Sequence, residues 1–298
     1  MDQSLLYFFN HTLANPVLDA VLLGITLIAP FIYPIIGITM LLSARTRRMG
    51  WAVLFTTALC LGLTLIFQFA VLRPRPAEVI PNLRLIWPPP DFPSYPSGHA
   101  SCAFAIAVLF GLRWRKVWVW AIGLALASII AISRVVLGMH YPTDIVAGAI
   151  LGIGVGATGY GLLAEPRSSP RETLRWLFFT QLAIILVGTH LAYLDLVPWR
   201  FLSWPMADKV MHALLMGGAA FWLNLWLNGR TARVWRWLIP LAVLLPFSVA
   251  FIEEVLQSFS PVRTFDLLDL AADLLGMSLM FGLSNILLSR FNRLRPSV

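Results

Sequence analysis

Charged residues are scarce in this 298-residue sequence, and long apolar runs take their place. Only 12% of the residues are Asp, Glu, Lys or Arg, whereas 59% are hydrophobic, and these include 12 Trp and 19 Phe. A soluble domain typically has about 25% charged residues, and one of this size cannot bury so much apolar surface. The composition excludes an ordinary soluble enzyme and predicts a protein whose main solvent is lipid.

Cysteine is also rare, which excludes a disulfide scaffold. The two cysteines, Cys60 and Cys102, both fall inside apolar runs. We expect small buried side chains there and neither a disulfide nor a zinc site. Residues 1–16 lack a basic start, so we also expect no cleavable signal peptide.

Apolar runs of bilayer-spanning length predict an all-α, polytopic membrane bundle of about nine transmembrane helices. The predicted spans are residues 17–43, 50–72, 97–112, 117–138, 142–163, 175–196, 209–228, 234–252 and 267–289. A polar, Pro- and Ser-rich stretch at residues 164–174 resembles a linker. It predicts two membrane domains, residues 1–165 and residues 166–298.

The net charge of +8 is distributed as a membrane topology requires, so we expect no nucleic-acid partner. Four groups of three basic residues in connections and a fifth at the C-terminal end fall on the same side of nine spans, and together they hold 15 of the 22 Lys and Arg. The positive-inside rule makes that side cytoplasmic, with the N-terminus outside and the C-terminus cytoplasmic. We predict an integral protein of the bacterial inner (plasma) membrane.

Three short strings carry the chemistry of the first domain, and this topology places all of them at the outer face. They are Arg73-Pro-Arg75-Pro76, Pro96-Ser97-Gly98-His99, and Ser133-Arg134 followed by His140 and Asp144. Arginine presents a planar fork that matches phosphate oxygens, and Arg75 and Arg134 are the best candidates. The strings therefore predict a phosphate site facing the periplasm or cell exterior.

The second string predicts neutral donors for the same phosphate. Ser97 and the free amides at the start of the following helix favour an anion. Gly98 allows the backbone to approach the anion closely.

The two histidines predict attack on phosphorus by an imidazole. Asp144 lies four residues after His140, within reach of its ring, and can fix the tautomer that leaves the other nitrogen free to attack. His99 then protonates the leaving group and activates the water that cleaves the phosphohistidine. Carboxylates between residues 70 and 160 are too few for a magnesium or two-metal centre, so we expect no metal and no cofactor.

The strings resemble the three-part signature of the type 2 phosphatidic acid phosphatase superfamily of membrane lipid phosphatases. Its pattern is Lys, six residues, Arg-Pro; then Pro-Ser-Gly-His; then Ser-Arg, five residues, His, three residues, Asp. The resemblance covers about residues 5–163. It implies that Arg75, Ser97 and Arg134 bind phosphate, that His140 is the nucleophile oriented by Asp144, and that His99 is the general acid and base. The lysine position falls on Gln68, and our hypothesis is that Arg73 replaces the missing phosphate contact.

The second domain contains a cluster of ionisable and amide residues at the predicted outer ends of its spans. The cluster comprises Asp208, Lys209, His212, Glu254, Gln257, Arg263, Asp266, Asp269 and Asp273. Ionisable groups at membrane depth are costly and suggest function. Three interpretations remain open: a salt-bridge lattice, a site for a lipid headgroup or product, and a separate catalytic or metal site. The pattern D-K-x-x-H, E-x-x-Q and Arg with spaced Asp residues resembles VanZ-like membrane domains, which are associated with glycopeptide-antibiotic resistance.

The sequence as a whole predicts a membrane lipid phosphatase whose partners are the bilayer and a lipid phosphate. Undecaprenyl diphosphate is the first choice of substrate, because a VanZ-like domain suggests work on the cell envelope. Phosphatidic acid or phosphatidylglycerol phosphate is the second choice, and a lipid A phosphate is the third. A rival interpretation is a lipid carrier or flippase whose second bundle binds the lipid product.

Overall fold

A computed structural model describes residues 2–88, 91–164, 170–197, 204 and 206–293. The chain divides into two compact units, Met1–Arg167 and Ser168–Val298. The predicted domain boundary at 165/166, and the first part of the predicted linker, lie outside the described residues. From Pro170 onward the linker stretch is already helical.

The first unit is a bundle of helices whose bounds are as follows. In chain order they are α1 (Asp2–Tyr7), a π-helix (Phe8–Thr12), α2 (Pro16–Leu41), α3 (Arg47–Val71), α4 (Pro76–Val79), α5 (Gly98–Trp114), α6 (Val117–Val136), α7 (Pro142–Gly159) and a second π-helix (Tyr160–Ala164). Helix α5 packs against α3, α6 and α7, and α2 packs against α3 and α6. The core of this unit therefore lies around α5, the helix that begins with the Pro-Ser-Gly-His string.

The described part of the second unit contains four helices and one hairpin. Its elements are α8 (Pro170–Tyr193), α9 (Ala207–Leu227), β1 (Thr231–Val234), β2 (Trp237–Pro240), α10 (Leu241–Gln257) and α11 (Leu267–Arg293). Helix α9 packs against α8, α10 and α11. Its core includes Met216, Ala220, Ala250, Leu270 and Met277.

The all-α membrane bundle fits the structure, whereas the exact count of nine spans is not confirmed. Within the described part of the chain, seven helices are long and apolar enough to cross a membrane. The predicted third span is the shorter apolar helix Gly98–Trp114. The predicted eighth span, 234–252, corresponds to no helix of that length.

The predicted start of the eighth span was wrong, because a β-hairpin occupies residues 231–240. Strands β1 and β2 pair antiparallel, with Val234 opposite Trp237 and a tight turn in which Trp235 has φ +54°. β-Branched and aromatic side chains favour strands, and Pro240 is favoured at the start of a helix over its interior. Helix α10 therefore starts only at Leu241 and has 17 residues.

Glycines on one face of α7 set its distance from α5. A Cβ built at Gly148 would lie 2.7 Å from the carbonyl oxygen of Ser97. At Gly152 and Gly156 it would overlap the carbonyl oxygens of Ser101 and Ala105. Small residues spaced by four let two membrane helices approach backbone to backbone. This contact places the start of α5 beside the start of α7, where the second and third strings lie.

Replacing Gly152 by alanine is expected to destabilise the first unit by about 1–3 kcal/mol, because the new methyl overlaps the backbone of α5. Thermal unfolding in detergent measures the loss. The matched control is Gly62→Ala in α3, where nothing lies within 4 Å of the built Cβ. That change should be neutral or slightly stabilising, since alanine is the better helix former. Equal stability of the two variants would contradict the close α5–α7 contact.

Candidate active site

The second string starts α5 beside the third string. The Ser97 amide donates to the carbonyl oxygen of Asp144 at 3.0 Å, so the two helix starts are joined through the backbone. Gln68, at the position where the family signature has lysine, donates from Nε2 to the carbonyl oxygen of Pro96 at 3.1 Å. Gln68 is buried and holds the chain just before α5. The residue that departs from the signature thus has a structural contact next to Ser97.

A tight connection at the end of α6 presents His140. Gly138 has φ +75°, and the amides of Met139 and His140 both donate to the carbonyl oxygen of Arg134. A glycine in the left-handed region just after a helix is a common helix-ending motif. The buried side chains of Leu137 and Met139 pack in one cluster with Leu22 of α2. The backbone therefore fixes His140 relative to Arg134.

The hydrogen-bond partners of His140 define its tautomer. Nδ1 lies 3.3 Å from Asp144 Oδ2, and Nε2 lies 3.2 Å from Arg75 Nη1. A carboxylate accepts and a guanidinium only donates. The proton therefore sits on Nδ1, and Nε2 carries a lone pair directed at the guanidinium. This is the arrangement that the sequence predicts for the His140–Asp144 pair.

The environment of His140 keeps its imidazole neutral. The residue is 2% exposed and lies in the connection between α6 and α7. Burial lowers the pKa of His140 well below its usual value, and the positive charges of Arg75 and Arg134 lower it further. A neutral imidazole is the nucleophilic form.

A neutral, buried His140 should make the protein less stable in acid. An unfolded histidine binds a proton below about pH 6.5 and the folded His140 does not, so stability falls as the pH drops below that value. We expect a loss of about 2 kcal/mol between about pH 6.5 and about pH 5 from this residue. Thermal unfolding of wild type and His140→Gln against pH measures it, and the variant should have the flatter profile. Parallel profiles would contradict the lowered pKa.

Arg75 is buried and reaches into the site from the first string. It is 2% exposed, donates from Nε to the carbonyl oxygen of Phe92 at 2.7 Å, and donates from Nη1 to the carbonyl oxygen of Met139 at 2.9 Å. These contacts hold the guanidinium in one orientation beside His140. The predicted phosphate-binding arginine thus lies next to the predicted nucleophile.

Arg73 lies in a different place from the one expected. Its Nη1 donates to Asp144 Oδ1 at 2.6 Å and to Thr143 Oγ1 at 2.9 Å, and its Nη2 pairs with Asp2 Oδ2 at 2.8 Å. Its guanidinium also stacks over the Tyr141 ring, 3.8 Å from the centroid. The charge of Arg73 is taken up by two carboxylates, because Asp144 needs a cation once it is buried. This placement disagrees with a phosphate contact from Arg73 and indicates that Arg73 orients Asp144.

Two buried polar atoms of the predicted phosphate-binding residues have no hydrogen-bond partner among the described residues. They are Ser97 Oγ and Arg134 Nε. Ser97 is fully buried and Arg134 is 3% exposed. A buried donor without a partner is costly, so its presence calls for an explanation. An anion held at the start of α5 would accept from both.

His99 and Arg134 both contact Thr26 of α2. His99 Nε2 lies 3.1 Å from the Thr26 carbonyl oxygen, and Arg134 Nη1 donates to Thr26 Oγ1 at 3.2 Å. The structure thus joins the three strings through direct contacts or one intermediate residue. Gly98, predicted to allow close backbone approach, begins α5, and a Cβ built there would lie 3.4 Å from Thr64 Cγ2.

The sequence reasoning missed Thr26, Asp2 and Thr143. Asp2 Oδ2 accepts from Thr143 Oγ1 at 2.6 Å, and its Oδ1 accepts from the Thr143 amide at 3.2 Å. Nothing in the pattern near Asp2 indicates this partner 141 residues away. The sequence does contain an indication for Thr26. Pro30, four residues later, has no amide proton, so it leaves the Thr26 carbonyl without its usual helical donor.

In the second unit, Lys209 is the centre of the predicted polar cluster. Its ammonium lies 2.5 Å from Asp266 Oδ2, 2.6 Å from Asp269 Oδ1 and 3.0 Å from Asp208 Oδ2. The hydrogen bond from Lys209 lowers the pKa of Asp266, which precedes α11. His212 Nδ1 lies 3.1 Å from Asp273 Oδ1. One ammonium and one imidazole thus serve four carboxylates.

The remaining members of this cluster continue the network onto α10. Glu254 is 1% exposed, and its Oε1 accepts from the Asp266 amide at 2.5 Å. Gln257 Nε2 donates to Glu253 Oε2 at 2.6 Å, and Gln257 Oε1 accepts from Arg263 Nε at 3.3 Å. All nine predicted residues are brought together. The contacts favour the salt-bridge lattice, since the buried groups are satisfied by one another.

The described residues of both units hold no group of three or more His, Cys, Asp or Glu side chains arranged to bind a metal ion. Cys60 and Cys102 are both buried and free.

Residues 49–168 match the family model of the PAP2 superfamily. The chain is 33% identical over 113 residues to an undecaprenyl-diphosphatase of Sulfolobus acidocaldarius, covering 38% of this chain and 54% of that protein. It is 46% identical over 69 residues to a lipid A 1-phosphatase of Porphyromonas gingivalis, covering 22% of this chain and 16% of that protein. The matches thus span about half or less of these two relatives.

One solved structure is also similar, the crystal structure of Aquifex aeolicus LpxE. It has 25% identity and a TM-score of 0.45, and the match covers 53% of this chain and 93% of that one. The family match therefore concerns residues 49–168, the segment that contains all three strings. The phosphatase names of the two relatives agree with the predicted class of lipid phosphate hydrolase.

Proposed function

We propose that this protein is a membrane lipid phosphatase that works without a metal through a phosphohistidine on His140. The observation that carries the proposal is the geometry of His140: Nδ1 lies 3.3 Å from Asp144 Oδ2 and Nε2 lies 3.2 Å from Arg75 Nη1, which favours a neutral ring protonated on Nδ1. An imidazole with a positioned orienting carboxylate is an activated nucleophile. The PAP2 match over residues 49–168 supports the same reaction class.

In the first step the substrate phosphate lies between Arg75, Arg134, Ser97 and the amides that begin α5. The Nε2 lone pair of His140 attacks phosphorus, forming a P–N bond while the bond from phosphorus to the lipid oxygen breaks. His99 enters this step as the imidazolium and gives its Nδ1 proton to that oxygen, so a lipid alcohol or a lipid monophosphate leaves and His99 becomes neutral. Asp144 stabilises the positive charge that develops on the ring, and Arg73 holds Asp144 in place.

In the second step water cleaves the phosphohistidine. Neutral His99 takes a proton from the water as its oxygen attacks phosphorus, and the P–N bond breaks. Inorganic phosphate leaves and His140 returns to its starting form. The arginine forks stabilise the charge on the phosphoryl oxygens in both steps.

For the substrate we propose undecaprenyl diphosphate first. The relative from Sulfolobus acidocaldarius that carries the name of this activity supports it. Phosphatidic acid or phosphatidylglycerol phosphate remains an alternative, and the lipid A 1-phosphatase relative supports a lipid A phosphate as a further one. Each presents a phosphomonoester or diphosphate at the level of the headgroups.

We also propose that the site faces the periplasm or cell exterior, that residues 1–165 carry the reaction, and that residues 166–298 form a VanZ-like domain. The distribution of basic residues supports the orientation. For the second domain, the Lys209-centred lattice supports a structural role. The alternative is that the second domain binds the lipid product. Lipid scrambling in vesicles, compared between wild type and an Asp269→Ala/His212→Ala variant, tests this alternative.

Phosphate release by the purified protein in detergent tests the function. The panel contains undecaprenyl diphosphate, phosphatidic acid, phosphatidylglycerol phosphate and lipid A, each with and without EDTA. We expect release from at least one lipid, unaffected by EDTA. Release that EDTA abolishes would contradict the mechanism, and release from none would contradict the function.

A further inference from the structure

Thr26 is a polar residue in an apolar helix, and its hydroxyl contacts both residues of the Ser-Arg pair. The residue is 2% exposed and lies in the middle of α2. Arg134 Nη1 donates to Thr26 Oγ1 at 3.2 Å, and Oγ1 lies 3.1 Å from Ser133 Oγ. The Thr26 hydroxyl therefore links α2 to α6 at Arg134, the predicted phosphate-binding arginine.

The directions of these hydrogen bonds follow from the number of protons available. Ser133 Oγ donates its only proton to the Ile130 carbonyl oxygen at 2.7 Å, so it accepts from Thr26. Thr26 in turn accepts from Arg134, which can only donate. The chain of donors runs from Arg134 through Thr26 and Ser133 to a backbone carbonyl, and the Thr26 hydroxyl both donates and accepts in it.

The backbone carbonyl of Thr26 makes a separate contact with the site. Pro30 has no amide proton, so the usual helical donor to the Thr26 carbonyl is missing. His99 Nε2 lies 3.1 Å from that carbonyl oxygen. Because a carbonyl only accepts, Nε2 carries a proton, and Nδ1 is the nitrogen that remains for proton exchange.

We infer that Thr26 is a positioning residue that links His99, the proposed general acid and base, to Arg134, the proposed phosphate ligand. Its carbonyl orients His99 and its hydroxyl orients Arg134. The inference rests on the proposed function and deepens it. Thr26 precedes the segment 49–168 that matches the family. Helix α2 is thus part of the reacting site although it lies outside the matched segment.

The hydroxyl is tested with Thr26→Val, which keeps the shape and the backbone carbonyl. Loss of a hydrogen bond to a charged group should weaken phosphate binding, so we expect KM to rise about tenfold with kcat changed by less than about threefold. The inhibition constant of orthovanadate, a phosphate mimic, should rise by a similar factor. Thr26→Ser restores the hydroxyl and should restore both constants.

The carbonyl is tested with Pro30→Ala, which supplies an amide at position 30 that competes with His99 for the Thr26 oxygen. Here kcat should fall about tenfold with KM within about twofold, since proton transfer rather than binding is disturbed. The matched control is Pro34→Ala, which removes the other proline inside α2 and supplies an amide to the carbonyl oxygen of Pro30. The hydrogen bonds described for the structure include none from a side chain to that carbonyl, so kcat should stay within about twofold of wild type.

The expected result is this split, with KM changed by the hydroxyl variant and kcat by the proline variant. Equal loss in Thr26→Val and Thr26→Ser, or equal kcat in Pro30→Ala and Pro34→Ala, would overturn the inference. If wild type releases phosphate in a reaction that needs His140, but the Thr26 and Pro30 variants keep wild-type kinetics, only this inference is overturned. If wild type releases no phosphate, the proposed function is overturned. In that last case, calorimetric titration with orthovanadate still tests whether Thr26→Val weakens anion binding and Thr26→Ser restores it.

Discussion

His140→Ala is expected to lower kcat for lipid phosphate hydrolysis by at least about 10⁴-fold, because it removes the atom that forms the covalent bond to phosphorus. Substrate affinity should change much less, since Arg75, Arg134 and Ser97 remain. The measurement is phosphate release in detergent at saturating substrate. Rapid quenching of wild type with a radiolabelled lipid phosphate should also trap an acid-labile phosphoprotein that the variant never forms.

Two further histidine variants sharpen this test. His99→Ala keeps the nucleophile but removes the acid and base, so the phosphoprotein should form slowly and persist. His11→Ala is the matched control, because His11 is exposed and its ring contacts only Asn10 and Tyr7 among the interactions described for it. Activity that survives in His140→Ala would contradict the phosphohistidine mechanism.

Arg73→Ala is expected to destabilise the first unit by about 3–5 kcal/mol and to reduce kcat as well. The substitution leaves Asp144 buried and without its cation, and it also frees Asp2. The orienting carboxylate of a catalytic histidine is worth up to about 10⁴-fold in rate, so we expect kcat to fall about 10²–10³-fold. Thermal unfolding and kcat are measured on the same preparation.

A double variant separates the two effects of Arg73. In Arg73→Ala/Asp144→Asn the uncompensated carboxylate is gone, so stability should recover in part while kcat stays low. Arg45→Ala, at an exposed arginine in the connection before α3, is the matched control and should match wild type. If Arg73→Ala raised KM with kcat and stability unchanged, Arg73 would be a phosphate ligand as the sequence suggested. In that case Gln68→Lys should lower the raised KM.

The sequence predicted that the three strings of the first unit meet, although it did not predict the contacts of Thr26, Asp2 and Thr143 with them. The order and spacing of the three strings predicted a joint site, and the contacts between Arg75, His140 and Asp144 agree with it. This worked because each string lies at a helix end, where topology alone determines its neighbours. The roles of these residues in the reaction stay predictions until the variants are measured.

The role of Arg73 was beyond the sequence for a physical reason. Arg73 and Arg75 are two residues apart in an irregular segment, and nothing in their spacing tells which one faces the phosphate. The pairing of Arg73 with the fully buried Asp144 favours an orienting role, because a buried carboxylate needs a cation. Thr26 was missed because its contacts are with residues more than 70 positions away.

The hairpin at residues 231–240 shows the limit of hydropathy. Trp235, Trp237 and Leu238 make the segment apolar enough to extend a predicted span, but side-chain hydropathy does not report backbone conformation. The short helix α5 was recognisable as an apolar helix, although its 17 residues fall below the usual spanning length.

The glycine face of α7 has a consequence for how substrates are told apart. Because Gly148, Gly152 and Gly156 lie against the carbonyl oxygens of Ser97, Ser101 and Ala105, α7 cannot move closer to α5 to reshape the predicted phosphate site. The segment between α4 and α5 carries the half-exposed side chains of Trp87 and Phe92. On the proposed function, substitution of these two side chains should change which lipids are hydrolysed and leave the chemistry at His140 unchanged.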